Sequence, residues 1–528
     1  MLFNSPIFLF LFLPAAMAGF FLFGRWGRDW AVGFLVAMSL FFYGWWNPIY
    51  LVLLGFSMAF NFMVGGVLAR AAGARSGSPQ APKDRRLAGP WGVLLAGVAV
   101  NIGLIGYFKY WNFFTDSVNA AFDLGWNFET IILPLAISFF TFQQITFLVD
   151  SYRGVVGRVR LLDYALFVTF FPQLIAGPIV HHSEMMPQFR KAGTFRFAHR
   201  NLAIGLTIFI IGLFKKVVLA DGIAVYATPV FNGALGGQEL TFVEAWGGAL
   251  AYAMQLYFDF SGYSDMAIGL ARMFGVRLPL NFNSPYKAAS IIDFWRRWHM
   301  TLSRFLRDYV YISLGGNKGG PILRYRNLMA TMLLGGLWHG AGWTFVAWGG
   351  LHGLYLVVNN LWRNLGWRPK RGSFWRWPVH GFFVALTFLC VVVAWVPFRA
   401  ESFSASALIL EGMIGLNGIA LPPGYAAYAG PLAPVLQSLG VSFDLSGTLF
   451  QGVGQIIALV FLLGVVWFLP NSHQVMAAYR PVYEAHKATR RSRFRWRPGP
   501  ISALALAVMA SLSLLSLTRV SEFLYFQF

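Results

Sequence analysis

The chain has 528 residues, of which 57% are hydrophobic and 12% charged. Soluble domains carry about a quarter charged residues, so a soluble protein is excluded and a polytopic membrane protein is expected. The net charge of +21 would suggest nucleic acid in a soluble chain, but here its uneven spread reads as membrane orientation, and no nucleic-acid partner is expected.

Apolar runs of bilayer-spanning length are expected in chain order at 6–23, 30–46, 49–69, 91–114, 131–150, 201–220, 244–272, 327–342, 343–362, 377–398, 451–470 and 500–518. The first run resembles a secretory signal, but its basic residues, Arg25 and Arg28, follow the apolar stretch, so it reads as a retained helix. Residues 161–180 are apolar but broken by Pro172, Gly177 and Pro178, and read as a re-entrant or interfacial piece. The lone cysteine, Cys390, lies in an apolar run and reads as a small core hydrophobe.

The loops alternate in charge. Residues 70–86 hold five basic residues and one acid, 153–160 three arginines, 363–376 five basic residues, and 480–497 seven with one acid. Residues 115–130 and 400–479 each hold three acids and no Lys or Arg. This predicts an N-terminus outside and about twelve spans in a single integral-membrane domain over 1–528. Residues 75–90 read as a flexible cytoplasmic linker and 400–450 as an extracytoplasmic segment.

Residues 291–310, "IIDFWRRWHMTLSRFLRDYV", show a three- and four-residue apolar period. They predict one amphipathic helix along the cytoplasmic interface, with its loop spanning 287–320. Arg296, Arg297, Arg304 and Arg307 fall on the polar side. Asp293–Arg297 and Arg304–Asp308 are expected ion pairs. His299 projects into the apolar stripe near Ile292 and Leu306. "SLGGNKGG" follows, where Lys318 offers a weak phosphate-cradling signal.

"GGLWHGAGWTFVAWGG", residues 335–350, places His339 among Trp338, Trp343 and Trp348. A histidine in a span is either a helix-to-helix polar contact or a functional group, and both readings stand for His339 and His299. His352 reads as structural. In "MQLYFDFSGYSDMAIG", Asp259 must be paired or protonated. Gln143 and Gln144 are expected in buried polar networks. No Walker loop, CxxC, HExxH or GxSxG occurs, and two histidines without a placed carboxylate or thiolate are too few for a metal site.

Together "YFDFSGYSDMAIGLARMFG", "NFNSPYKAASIIDFWRRWHMTLSRFLRDYVYISLGGNKGG" and "GGLWHGAGWTFVAWGGLHG" resemble the membrane-bound O-acyltransferase (MBOAT) family. The likeness is to the branch of the alginate O-acetylation membrane protein, and covers nearly the whole chain. It implies an all-α fold, a ring of about 11–13 transmembrane helices with re-entrant and interfacial pieces, in the bacterial inner membrane. It further implies acetyl-CoA as donor, no bound cofactor, an extracytoplasmic hydrolase-like partner and a polysaccharide acceptor. By motif position His339 and His299 would be catalytic. Binding candidates are Trp338, Trp298, Asp259, Arg296, Arg297 and Lys318. His339 would act as general base or carry the acetyl group itself. Rival readings are D-alanyl or other acyl transfer to a cell-wall polymer, and a polysaccharide or lipid transporter. A transporter is disfavoured by the missing internal repeat.

Overall fold

The computed structural model describes residues 1–76, 88–366, 375–444, 449–483 and 494–517. These residues are mostly helical, with one short parallel strand pair, Ile419–Leu421 beside Val441–Phe443. Residues 77–87 of the expected 75–90 linker, and much of the basic loops at 363–376 and 480–497, lie outside the described residues.

Each of the twelve expected spans falls on a helix. In order these are Phe8–Gly24, Arg28–Gly44, Tyr50–Ser76, Gly89–Phe122, Ile137–Tyr152 and His199–Leu235. Phe242–Met273, Pro321–His339, Trp343–Asn364, Arg376–Arg399, Val453–Phe468 and Pro500–Ser516 follow. Four of them (Tyr50–Gly73, Gly89–Phe122, His199–Leu235 and Trp377–Arg399) are long and apolar enough to cross a bilayer on length and composition alone. The others are shorter or less apolar. The protein is an all-α, multi-pass membrane protein.

Residues 161–180 do not form a span. Leu161–Thr169 is nine residues, about 13 Å of helix, and stops at Phe170, whose backbone leaves the helical region. The chain then turns through Phe171–Leu174, and residues 163–180 are buried throughout. Irregular backbone at this depth is tolerated because protein covers it.

Two aromatic-rich cores meet along the Phe242–Met273 helix. Its first half, from Ala245 to Phe260, packs in one core with Trp298, Trp348, Trp395 and Phe398. Its second half, from Tyr263 to Met273, packs in the other with Phe3, Phe8, Phe171, Phe305 and Trp338.

Glycines set the closest approaches. A Cβ on Gly212 would lie 2.6 Å from the Gly262 carbonyl oxygen, and one on Gly205 2.6 Å from that of Gly269. The His199–Leu235 and Phe242–Met273 helices thus touch backbone to backbone at two points seven residues apart, as small residues permit in membranes. The Pro321–His339 and Trp343–Asn364 helices do the same. A Cβ on Gly336 would lie 2.2 Å from the Phe345 oxygen, and one on Gly349 2.4 Å from that of Met332.

Several buried polar groups are paired, most of them across helices. Asn61 and Asn101 exchange side-chain hydrogen bonds at 3.1 and 2.7 Å. Tyr164 donates to Gln144 Oε1. Lys216 lies between Asp221 and Asp259, at 2.9 and 2.5 Å. Asp265 is held by Lys215 and Ser472, both at 2.7 Å, and by His473 at 2.8 Å.

The structure corrects one expectation about the fold. The amphipathic helix over 291–310 is not continuous: Ile291–Trp295 and Met300–Phe305 are separate turns, and His299 between them sits at φ +41°. Part of the 400–450 segment is core, since Phe403–Met413 packs on the Phe242–Met273 helix and buries Ala405, Ile409 and Met413.

Candidate functional site

His299 and His339 lie at the seam between the two cores. Trp298 belongs to one core and Leu302 to the other. Trp338 packs in the core of Leu302, while the His339 ring meets Trp348 and Phe398 of the core of Trp298, with centroids 5.1 and 5.2 Å away. The two imidazole centroids are 6.4 Å apart.

His339 is the last residue of its helix. The chain turns extended at Gly340, φ −155°, and the next helix begins at Trp343. A Cβ at Gly340 would lie 2.1 Å from the Phe345 ring, which a side chain there would have to displace. Helix ends leave carbonyls without helical donors, and two residues from the Gly89–Phe122 helix supply them here. Lys109 Nζ donates to the Trp338 and His339 carbonyls at 2.5 and 3.2 Å, and Tyr110 donates to that of Leu337 at 2.6 Å. Both sit at a π-helical turn, Gly106–Tyr110, a distortion that often marks functional positions. His339 keeps 7% exposure, against 0% for His299 and His352. No described residue is seen to hydrogen-bond its ring.

His299 owes its orientation to its backbone and to Asn281. The left-handed conformation, unfavourable for a residue with a Cβ, turns its ring inward, edge-on to Phe260 at 4.8 Å. Its Nδ1 lies 3.1 Å from Asn281 Oδ1. The Thr301 hydroxyl donates to the same oxygen at 2.9 Å, and the Thr301 backbone N–H does so at 3.4 Å. A backbone N–H can only donate, so the Asn281 atom there is its oxygen, and His299 Nδ1 carries a hydrogen. In the neutral ring this leaves the lone pair on Nε2. Asn281 is fully buried, and its amide nitrogen donates to Ser264 at 3.1 Å.

A cavity of about 720 Å³ is lined by Met300 and Thr301, next to His299 in the chain, though by neither histidine. Arg296, Arg304 and Arg307 line it along with Trp295, Tyr311 and Met332, and no acid does; Thr301 is part of its wall. Arg304 is tied to Glu184 at 2.5 Å and Arg307 to Asp308 at 2.6 Å. Arg296 is exposed and makes no ion pair with a described residue.

The other candidates are spread more widely. Trp338 stacks on Phe142 and stands 4.8 Å from the His339 ring. Trp298 packs against Tyr286, Phe294 and Trp395, away from the cavity wall. Arg297 pairs with Asp293 as expected, at 2.9 Å, and does not line the cavity. The expected Arg304–Asp308 pair is replaced by Arg304–Glu184. Lys318 is exposed in its loop, also off the wall. Asp259 is held by Lys216 rather than facing the histidines. His352 Nδ1 accepts from Trp295 at 3.3 Å.

Sequence reasoning missed Lys109, Asn281 and Thr301. Lys109 carried a signal, an ionisable residue inside the apolar run "NIGLIGYFKYWNFF", the kind the cost of intramembrane charge singles out. Asn281 and Thr301 carried none, since their importance lies in contacts made only on folding.

Residues 149–396 match the family model of the membrane-bound O-acyltransferases. This stretch contains both histidines and the cavity. The chain is 45% identical to a peptidoglycan O-acetyltransferase of Helicobacter pylori, over 80% of this chain and 81% of that one. It is 44% identical to a probable alginate O-acetylase, AlgI, of Pseudomonas aeruginosa, over 79% of this chain and 75% of the relative. A teichoic acid D-alanyltransferase of Streptococcus thermophilus is 29% identical over 44% of this chain and 58% of its own. With likeness of this extent running through the buried histidine pair, the chain belongs to the membrane-bound O-acyltransferase family and is an acyltransferase.

Proposed function

We propose that the protein moves an acetyl group from cytoplasmic acetyl-CoA across the bacterial inner membrane, for O-acetylation of an extracytoplasmic glycan. The observation that carries this reading is a basic cavity whose wall, at Met300 and Thr301, adjoins His299 in the chain. Arg296 and its neighbours offer positive charge to the phosphates of the donor. Thr301 in the cavity wall shares Asn281 with His299, which stands 6.4 Å from His339. The pantetheine arm enters the cavity and brings the thioester to His339. The N-terminus lies outside, which puts the cavity mouth on the cytoplasmic side with the arginine-rich loops.

At His339 an acceptor hydroxyl, on the glycan or on a hydrolase-like partner that hands the group on, gives its proton to the imidazole. Its oxygen attacks the thioester carbonyl, the new C–O bond forms, the C–S bond breaks, and the thiolate takes the proton from His339. His299, fixed by Asn281 with the lone pair on Nε2, positions the reacting groups as a hydrogen-bond acceptor. A thiolate is a good leaving group, so direct transfer needs no covalent enzyme intermediate. Trapping of an acetyl group on His339 would replace this route by acyl-histidine transfer.

The glycan is the open choice between relatives of near-equal identity, one named for peptidoglycan and one for alginate. The D-alanyl reading rests on the shorter and weaker likeness. Membranes from cells with and without the protein, supplied with labelled acetyl-CoA or a labelled D-alanyl donor, test the proposal. Acetyl label should pass to the glycan fraction only when the protein is present. D-alanyl label alone would overturn it.

A further inference from the structure

A second feature lies away from the histidines, on the face that gathers the N-terminal arginines. A cavity of about 390 Å³ is lined by Arg28, Arg158, Val159, Arg160, Asp163 and Arg190. Arg28 is committed: it pairs with Asp163 and Asp29 and donates to the Phe189 carbonyl at 3.0 Å. Arg160 is committed to Asp29 at 2.6 Å. Arg158 and Arg190 are exposed, and neither makes a hydrogen bond or ion pair with a described residue. Four guanidinium groups thus meet two carboxylates, Asp163 in the wall and Asp29 beyond it, an excess of two.

Arg158 and Val159 also line a second cavity, of about 550 Å³. Its other walls are Phe62, Met63, Gly65, Gly66, Val67, Arg70, Phe147 and Gly157. The wall from Phe62 to Arg70 belongs to the spanning helix Tyr50–Gly73, on which Met63 and Val67 are 62% and 45% exposed. A side chain at Gly66 would meet no atom within 4 Å, so the groove is open at that point. A basic chamber is thus joined to an apolar groove on a membrane-facing helix, with Arg158 at the junction.

We infer that these joined cavities bind one anionic phospholipid, its phosphate between Arg158 and Arg190 and an acyl chain along Met63, Val67 and Phe147. Guanidinium groups suit phosphate because they present paired donors in one plane. Basic pockets between membrane helices at the arginine-rich face are placed to meet such headgroups. The apolar groove distinguishes a lipid from a soluble phosphate, which would have no use for it. The inference does not rest on the chemistry at His339.

Native mass spectrometry of the detergent-purified protein tests it, with phosphatidylglycerol, phosphatidylcholine and inorganic phosphate as probes. Wild type should retain one phosphatidylglycerol in preference to phosphatidylcholine. Arg158→Gln with Arg190→Gln should lower that preference about thirtyfold, two basic residues at the value typical of anionic membranes. Gly66→Leu, which fills the groove, should weaken both lipids while acyl transfer and thermal unfolding stay as in wild type. Equal retention of the two lipids by wild type would overturn the inference. So would displacement of phosphatidylglycerol by inorganic phosphate alone, or indifference to both sets of substitutions.

Discussion

Asn281→Leu removes the residue that orients His299 and adds no charge. Asn281 Oδ1 faces His299 Nδ1 at 3.1 Å and accepts the Thr301 hydroxyl at 2.9 Å. The Thr301 hydroxyl also accepts from the Ile179 N–H at 3.1 Å and can turn its hydrogen elsewhere. The His299 N–H cannot follow, because the αL backbone and the Phe260 ring fix the imidazole. Two buried donors lose their acceptor, the Thr301 backbone N–H at 3.4 Å and the His299 Nδ1–H; the loss at His299 is about 1–3 kcal/mol, and its ring loses the bond that selects its tautomer. If the same energy is lost from the transition state, kcat falls about tenfold to a hundredfold. The donor KM should stay within about twofold, since Asn281 does not line the cavity. Asn281→Asp keeps an acceptor toward His299 and should retain more activity than Asn281→Leu. The assay is acetyl transfer from labelled acetyl-CoA, at matched protein levels, over a range of donor concentrations. An Asn281→Leu protein with wild-type kcat would refute the assignment of Asn281 as a positioning residue.

Lys109→Met should lower kcat by about tenfold or more with little change in donor KM, because it strips the donor from the Trp338 and His339 carbonyls and lets the His339 ring shift. Donor titration of the same transfer assay separates the two constants. Arg296→Gln should act oppositely, raising donor KM about fivefold at low salt and less at high salt, with kcat unchanged. Gly336→Ala puts a methyl group 2.2 Å from the Phe345 oxygen. It should destabilise the protein by about 1–3 kcal/mol, seen as earlier thermal unfolding in detergent.

Much of the fold was legible because hydrophobic runs and broken segments each have a direct physical meaning in a bilayer. The stretch "WHGAGW" marked both a histidine and the end of its helix, and the chain does break between His339 and Trp343. The stretch around His299 misled for an equally physical reason. Two short turns on either side of one left-handed residue keep the apolar spacing of a single helix, and no glycine or proline at 296–300 announces the break. Arg304 likewise had a plausible partner four residues on, but found Glu184, 120 residues away. Such pairings exist only once the chain is folded, as does the meeting of Lys109 with the end of the Pro321–His339 helix. The residue types at the histidine pair could be read from the sequence; the residues that hold the pair in place could not.

The central claim is that acyl transfer takes place at His339, with His299 beside it. It is tested most directly by the single-turnover rate of acetyl transfer from labelled acetyl-CoA, measured on purified wild-type, His339→Ala and His299→Ala proteins that unfold at the same temperature. The account predicts that His339→Ala retains no more than about one thousandth of the wild-type rate, as expected when a catalytic base is removed, and that His299→Ala loses most of its activity. A His339→Ala protein that transfers acetyl groups at the wild-type rate would contradict it.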